Sequence, residues 1–383
     1  MIASTVAAGC SLGLRSVGAT ILGFCPQYAP IPVTLPPVPK LSLPNGDSLP
    51  LPAFEPSWYL RSGHVQTAAV PLMGGVPFRE RPECRRIFVD FTDDTGDRTD
   101  AYVADAADSD SAERPLVILF HGLGGDADSA YVTRTAARLL DGGFDVMTPN
   151  FRGAGTSAEL ASELHHPGRS GDVQLFLDGL RSQHEQFADR RVVVGGFSLG
   201  GHVLLKYLAD RHTREHTSGV VAGFTVSAPL SLRETSLRLS MLRNLAFCQF
   251  ILRKMKAEYT RPNGRLLDSQ RAAIAAARTV WQFDAAFTSG YLGYDSVDDF
   301  YCEMSAIDEL SRVDVPTVMI HAEDDPFVPS GHYHRDVFKT DPELCRVLTT
   351  DGGHVGFFEG RGSRRWLDDT LLTLLHAEFW TRV

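Results

Sequence analysis

The sequence of 383 residues predicts an α/β fold, with a mostly parallel central sheet flanked by helices and a helical cap inserted near its end. Two observations lead to this prediction. From residue 115 to residue 228, short apolar segments typical of buried strands alternate with longer amphipathic segments typical of helices. Such alternation indicates parallel strands, because each crossover between parallel strands needs a helix-length connection. From residue 230 to residue 305 only helical segments follow.

The start of the chain has a different character. Ten prolines between residues 26 and 56 disfavour regular helix, so residues 1–56 are predicted to form an extension that wraps or links. The segment Trp58–Thr67 matches neither a helical nor a strand repeat. Strands are predicted at 85–91 and 98–103, separated by the turn-rich sequence D-D-T-G-D.

The elements of the sheet follow from hydrophobic periodicity. In chain order, the prediction gives a strand at 115–120, a helix at 129–141, a strand at 144–149, a helix at 170–187, a strand from Val192 with a helix after it, and a strand at 219–228. After the insertion come a strand at 315–322, a short helix, a strand at 346–350 and a helix at 363–380. The predicted domains are therefore the extension 1–56, a core in two parts at 57–229 and 306–383, and a cap at 230–305.

Composition narrows the class of protein. The content of 43% hydrophobic and 22% charged residues is that of a globular protein, and no apolar stretch reaches the length of a membrane-spanning helix. The net charge of −10 argues against a nucleic-acid partner. Six cysteines without a C-x-x-C pair indicate reduced thiols, and we expect a cytoplasmic location. A signal or anchor in the first 25 residues is the alternative, although Arg15 interrupts their apolar run.

Ser198 lies within G-x-S-x-G, in the run V-V-V-G-G-F-S-L-G-G-H-V-L-L-K-Y-L from residue 192 to residue 208. A serine hydroxyl is a weak nucleophile, so it must stand where a base reaches it and a helix N-terminus stabilises an oxyanion. The motif is short, and an ordinary glycine-rich connection is the alternative. The apolar strand before it and the amphipathic helix after it favour a nucleophile elbow.

Such a serine needs a histidine base and a carboxylate, each just past a strand end and in the chain order serine, acid, histidine. His354 in D-G-G-H-V-G-F-F follows the strand at 346–350 and is the predicted base. Asp325 is the predicted acid, because it follows the strand at 315–322 and the turn at Pro326 directs it across the sheet edge. The adjacent Asp324 is the competing candidate.

Two backbone N–H groups are expected to bind the oxyanion. One belongs to Leu199, which follows the serine, and the other to Leu123 in H-G-L-G-G after the strand at 115–120. His121 at the start of that loop is interpreted as a brace for the loop rather than as a second base.

These segments together resemble the α/β-hydrolase superfamily and, more narrowly, its YheT-type serine esterases, to which several mammalian abhydrolase-domain lipases are related. The resemblance covers about residues 55–370 and rests on the following motifs: S-G-H-V-Q-T near residue 64, F-H-G-L-G-G, N-F-R-G-A-G, G-F-S-L-G-G, F-D near 284 with G-Y-D-S-V-D-D-F-Y, A-E-D-D-P-F and G-G-H-V-G-F. It implies an α/β-hydrolase fold and hydrolysis of carboxylic esters by Ser198, Asp325 and His354. For His64 in G-H-x-Q-T no chemical step follows from the sequence, and a structural role is expected.

The leading hypothesis is a hydrolase that cleaves esters with short- to medium-chain acyl groups or acylglycerol-type substrates through an acyl-enzyme, without metal or organic cofactor. An acyltransferase with the same triad and a non-catalytic binding protein are the alternatives. The partner is a small-molecule ester or lipid, with peripheral membrane contact of the cap as a further expectation; the sequence leaves the oligomeric state open. The cap has enough apolar residues for a lid over an acyl chain, with simple packing on the sheet as the alternative: Leu239, Met241, Leu242, Leu245, Phe247, Phe250, Ile251 and Leu252.

Overall fold

The computed structural model describes residues 40–42, 48–72, 77–107, 113–210, 219–260, 266–360 and 364–379. The range Leu35–Val383 forms one compact unit. Most of the predicted extension 1–56 and its alternative as a signal or anchor lie outside the described residues. The expected cytoplasmic location stays a prediction.

Eight of the described strands form one sheet, in the order β10-β9-β8-β7-β5-β6-β4-β3. Its strands are β3 (Cys84–Asp90), β4 (Arg98–Ala104), β5 (Leu116–Phe120), β6 (Val146–Pro149), β7 (Val192–Phe197), β8 (Val220–Val226), β9 (Thr317–Ala322) and β10 (Leu344–Thr349). The pairs β3–β4 and β4–β6 are antiparallel, and all other neighbouring pairs are parallel. A separate antiparallel pair, β1 (Lys40–Ser42) and β2 (Ser48–Pro50), precedes the sheet. The fold is therefore the predicted mostly parallel α/β class.

The helices cover both faces of the sheet. They are α1 (Gly63–Ala69), α2 (Ala130–Asp141), α3 (Gly171–Gln183), α4 (Leu199–Asp210), α5 (Leu232–Leu239), α6 (Leu245–Tyr259), α7 (Asp268–Ala276), α8 (Val280–Phe283), α9 (Ser289–Tyr291), α10 (Val297–Met304), α11 (Val337–Thr340) and α12 (Trp366–His376). Apolar residues of α3 and α4 belong to the core of one face, and those of α2 and α12 to the core of the other. Alternate residues of β5 enter the two cores, which explains why its sequence is apolar throughout.

The helices α5 to α10 follow β8 and precede β9, so the alternation of strand and helix is interrupted where the sequence predicts. These helices fall within the predicted cap, and its boundaries at 230 and 305 stay a prediction. Among the described residues, no helix combines the length and the apolar character needed to cross a bilayer.

The segment Trp58–Thr67 departs from the prediction, because its second half begins helix α1. The helix is short and has no long apolar stripe, so periodicity does not reveal it. Its side chains are instead held by hydrogen bonds to residues almost 300 positions later in the chain. The contacts that stabilise α1 are thus tertiary, and no local pattern encodes them.

Candidate active site

The predicted site residues meet at the carboxyl edge of the parallel strands. Leu123 follows β5, Ser198 follows β7, Asp325 follows β9 and His354 follows β10. Parallel strands point their carboxyl ends to one edge, so residues far apart in sequence come together there. Ser198, Leu123, Leu199 and His354 line one cavity of about 700 Å³.

Ser198 stands on a tight turn between β7 and α4. Its φ of +51° lies in the left-handed region that non-glycine residues rarely adopt. Its backbone N–H donates to the Val226 carbonyl (2.8 Å), and its carbonyl accepts from the His202 N–H (3.1 Å). A Cβ at Gly200 would lie 2.2 Å from the His121 carbonyl oxygen, so only glycine permits this approach of helix and loop. The strained turn is therefore held from both sides and presents the hydroxyl to the cavity.

The Ser198, His354 and Asp325 side chains form a hydrogen-bonded series. His354 Nε2 lies 2.8 Å from Ser198 Oγ, and His354 Nδ1 lies 2.8 Å from Asp325 Oδ2. The Phe327 ring packs on the imidazole with a centroid distance of 4.8 Å. The imidazole is thus fixed at three points, with one nitrogen directed at the hydroxyl and the other at the carboxylate.

The Asp325 carboxyl group is fully buried, yet its pKa is lower than that of an ordinary aspartate. Burial acts to raise its pKa, but the charge of His354, the hydrogen bond from His354 and the Val328 N–H together hold the pKa below its ordinary value. Its Oδ1 accepts hydrogen bonds from the N–H groups of Phe327 (2.8 Å) and Val328 (3.0 Å). An ionised Asp325 is therefore able to orient His354 and to stabilise a positive charge on it.

The neighbouring Asp324 has a different environment. Burial raises the pKa of Asp324 to about 6, and its Oδ1 accepts a hydrogen bond from the Gly353 N–H (2.8 Å) rather than from the imidazole of His354. Burial also lowers the pKa of His321 to about 4, so this ring, stacked on Tyr333 at a centroid distance of 4.1 Å, is neutral at pH 7. Of the two adjacent carboxylates, Asp325 is the one in contact with His354.

The two amides predicted for the oxyanion are free. Among the described residues, neither the Leu123 N–H nor the Leu199 N–H has a hydrogen-bond acceptor. Leu199 is the first residue of α4, where backbone N–H groups lack partners within the helix. Both residues line the cavity beside Ser198. Their assignment to the oxyanion stays a prediction with this support.

Helix α1 supplies contacts that the sequence argument did not find. The Thr67 hydroxyl accepts a hydrogen bond from the His354 N–H (2.8 Å) and donates to the Gly63 carbonyl (2.6 Å). The Gln66 amide bonds both backbone groups of Phe358, at 2.8 and 3.0 Å. A Cβ at Gly63 would lie 2.0 Å from the Asp324 carbonyl oxygen. The G-H-V-Q-T motif was the available signal, and three of its residues hold the segments that carry His354 and Asp325.

Two further side chains fix the loop after His354. Arg365 is buried and donates to the carbonyls of Val355 (3.0 Å) and Gly356 (3.1 Å). The Ser227 hydroxyl accepts from the Val355 N–H (3.2 Å). No sequence motif marks either residue. Ser227 lies 128 positions from Val355, and Arg365, although only nine and ten positions from the residues it contacts, falls outside the segment D-G-G-H-V-G-F-F.

His64 and His121 both have structural contacts. His64 Nε2 lies 2.9 Å from Asn244 Oδ1, which joins α1 to the start of α6. His121 accepts from the Phe151 N–H (3.2 Å) through Nε2 and donates to the Gly122 carbonyl (2.9 Å) through Nδ1. Burial lowers the pKa of His121, and both its nitrogens are occupied, as expected for a residue that braces a loop.

The fold and the candidate site together are those of an α/β protein with a serine at a strand-to-helix turn on the carboxyl edge of its sheet. A model of the alpha/beta hydrolase fold family matches residues 115–361. The chain belongs to that family.

Curated relatives agree with this assignment. The chain is 28% identical over 282 residues to a monoacylglycerol lipase of Saccharomyces cerevisiae, a match of 70% of this chain and 61% of the relative. It is 29% identical over 273 residues to YheT of Escherichia coli, with 70% and 74% covered. It is 25% identical over 253 residues to human phospholipase ABHD3, with 66% and 60% covered. The match thus spans less than two thirds of the yeast and human relatives.

Solved structures resemble this chain in fold. The 2,6-dihydroxy-pseudo-oxynicotine hydrolase has a TM-score of 0.51 at 19% identity, with 82% of this chain and 72% of that chain covered. The esterase Pf2001 of Pyrococcus furiosus has a TM-score of 0.50 at 15% identity, with 78% and 90% covered. At these identities the likeness concerns the fold alone.

Proposed function

We propose that the protein is a serine hydrolase that cleaves carboxylic esters through an acyl-enzyme. The observation that carries the proposal is the contact of Ser198 Oγ with His354 Nε2 at 2.8 Å, with Asp325 at 2.8 Å on the other nitrogen. In this assignment Ser198 is the nucleophile, His354 the general base and acid, and Asp325 the group that orients and stabilises the imidazolium.

The reaction takes two steps. Ser198 Oγ attacks the ester carbonyl while His354 Nε2 takes the hydroxyl proton, and the oxyanion accepts hydrogen bonds from Leu123 and Leu199. The C–O bond to the alcohol breaks as His354 returns the proton to the leaving oxygen. Water then attacks the acyl-enzyme with His354 again as base, which releases the acid and restores Ser198.

The substrates proposed are esters with short- to medium-chain acyl groups or acylglycerol-type lipids. The cavity of about 700 Å³ has room for a small lipid, and its wall is mainly apolar. The cap supplies much of that wall, through Leu239, Phe247, Phe250, Ile251 and Met255. The relatives named as a lipase and a phospholipase support a lipid-type ester.

Labelling and kinetics test this proposal. The wild type is expected to react covalently with a fluorophosphonate probe and to hydrolyse p-nitrophenyl esters of graded chain length. Ser198→Ala should lose both properties, whereas Ser182→Ala on α3, outside the cavity, should retain them. Labelling that persists in Ser198→Ala would show that another residue is the nucleophile.

We also propose that the cap contacts an anionic lipid surface. Apolar side chains of the cap are exposed, above all Leu242 at 90%, together with Met241, Leu245 and Phe250. Exposed cations, Arg243, Arg253 and Lys254, stand among them on a chain whose net charge is −10.

Sedimentation with lipid vesicles measures this contact. The wild type should bind anionic vesicles more than zwitterionic ones, and Leu242→Ser should bind less. Phe88→Ser, at an exposed apolar residue of edge strand β3, is the matched control. Equal binding of Leu242→Ser and wild type would exclude this surface.

A further inference from the structure

The cavity wall contains a second polar cluster, formed by Asp284, Tyr301, Ser236 and Thr288. All four residues line the same cavity as Ser198, yet none has a place in the ester-cleaving steps. Phe283-Asp284 begins, and Tyr301 ends, the motif pair F-D and G-Y-D-S-V-D-D-F-Y that the sequence singled out. The two ends of that region therefore meet in this cluster.

The hydrogen bonds leave Asp284 with unused acceptor capacity. Its Oδ2 accepts from the Tyr301 hydroxyl (2.6 Å), and its Oδ1 accepts from the Thr288 hydroxyl (2.8 Å). Tyr301 has one hydroxyl hydrogen, which it gives to Asp284, so Ser236 Oγ at 2.9 Å is the donor in the remaining contact. A carboxylate offers about four acceptor positions, and two of these are filled here.

Burial of the Asp284 carboxyl group costs free energy of folding if the group has only a structural role. Burial raises its pKa to about 6, and among the described residues only the Tyr301 and Thr288 hydroxyls counteract that effect. No cation of the described chain forms an ion pair with this carboxylate, in contrast to Asp97 or Asp172, which pair with Arg152. An apolar side chain would pack such a position at lower cost.

The backbone at Asp284 points to the same conclusion. Residues Asp284–Thr288 form a π-helical turn between α8 and α9. Such turns are rare and are frequently found at functional sites. This turn brings the Asp284 carboxylate and the Thr288 hydroxyl into contact at the cavity wall.

We propose that Asp284 binds a hydrogen-bond-donating group, a hydroxyl or an ammonium, that the ester substrate carries away from its reacting carbonyl. Tyr301 and Thr288 act as positioning residues, which hold the carboxylate with its free acceptor positions towards the cavity. The inference rests on the proposed function, since it concerns the substrate of the Ser198 site. It narrows the substrate class from alkyl esters to esters with a polar free end.

Matched esters test this specificity. Two series of esters of equal chain length are compared, and in each series the chain ends in a methyl, a hydroxyl or an ammonium group. The end group lies on the acyl chain in one series and on the alcohol in the other. For the wild type, kcat/KM should be about tenfold or more higher for a hydroxyl- or ammonium-ended ester than for its methyl-ended counterpart in at least one series. The preferred end group identifies the hydrogen-bond donor, and the preferred series shows whether the acyl chain or the alcohol carries it.

Variants locate the preference at Asp284. In Asp284→Asn the ratio of kcat/KM for polar-ended over methyl-ended esters should fall towards one, and in Tyr301→Phe it should fall in part. Asp295→Asn, at an exposed carboxylate of the same cap, should keep the wild-type ratio. A wild-type ratio near one in both series overturns the inference without any variant, as does an unchanged ratio in folded Asp284→Asn. Inactivity on every ester would instead contradict the proposed function itself.

Discussion

At the scale of single residues, two adjacent carboxylates of one turn differ in environment. Asp325 contacts the imidazole of His354 and has a pKa below its ordinary value, whereas the pKa of Asp324 is raised to about 6. Asp324 bonds the Gly353 N–H and so fixes the backbone next to His354. The two groups are therefore expected to act differently.

Substitution of each carboxylate by its amide separates these roles. Asp325→Asn should lower kcat by a factor of about 10³–10⁴, because an amide neither fixes the required tautomer nor stabilises the imidazolium. Asp324→Asn retains an oxygen for the Gly353 N–H and should change kcat by less than about threefold. Steady-state ester hydrolysis measures both, and a larger loss in Asp324→Asn would reverse the assignment.

Ser198 and His354 can be predicted from the sequence because each lies in a glycine-containing motif just past a predicted strand. The sequence favours Asp325 over Asp324 but does not decide between them, since the direction of a side chain in a turn depends on backbone contacts such as that of Asp325 with Val328. Thr67 cannot be predicted in this way, because it acts on the His354 loop from 287 positions away in the chain. Arg365 lies only ten positions from Val355, but no motif marks it.

At the scale of elements, helix α1 acts as a support for the loop after β10. Thr67, Gln66 and Gly63 make its contacts with that loop and with the turn after β9. Strands and long helices were predicted from periodicity, which a buried strand or an amphipathic helix carries locally. Helix α1 is only seven residues long, and its packing partners come from the other end of the chain.

Replacement of Thr67 tests this support. Thr67→Val removes the acceptor for the His354 N–H while keeping the shape of the side chain, so kcat should fall about tenfold with little change in KM. Thr67→Ser keeps the hydroxyl and should restore most of the activity. If Thr67→Val and Thr67→Ser have equal kcat, the hydrogen bond has no part in positioning His354.

At the scale of the whole molecule, buried histidines make stability depend on pH. Burial lowers the pKa of His166 to about 3 and that of His202 and His321 to about 4, and it also lowers the pKa values of His121 and His165. In the unfolded chain these histidines titrate near pH 6.5. Below that pH the unfolded state binds more protons than the native state, so the free energy of unfolding falls.

Acidic groups with raised pKa values oppose this effect, and Asp284 and Asp324 are two of them. The pKa values of Asp284 and Asp324 are raised to about 6, so between about pH 6 and pH 4 the native state holds their protons more tightly and gains stability. The histidines begin to act at higher pH, and Asp325, whose pKa is lowered, adds to the loss on acidification, so we expect a net loss of stability from about pH 6.5 to pH 4.

Urea unfolding at a series of pH values measures how these opposing protonation effects change the stability of the protein. The urea midpoint should decrease from pH 7 to pH 4.5, and His202→Gln should make the decrease shallower. Ser182→Ala on α3, which removes no titratable group, should leave the slope unchanged. A constant midpoint over this interval would contradict the predicted balance of protonation.

The support of His354 by Thr67 has a consequence for the smallest active piece of the chain. The family match begins at residue 115, after helix α1 and after strands β3 and β4. A protein trimmed to residues 115–361 would keep Ser198, Asp325 and His354 but lose Thr67, Arg365, strands β3 and β4 and helix α12. We expect such a fragment to react with a fluorophosphonate far more slowly than the whole chain, because the His354 loop loses contacts from both sides. Residues outside the recognisable family region therefore contribute to the arrangement of the candidate site.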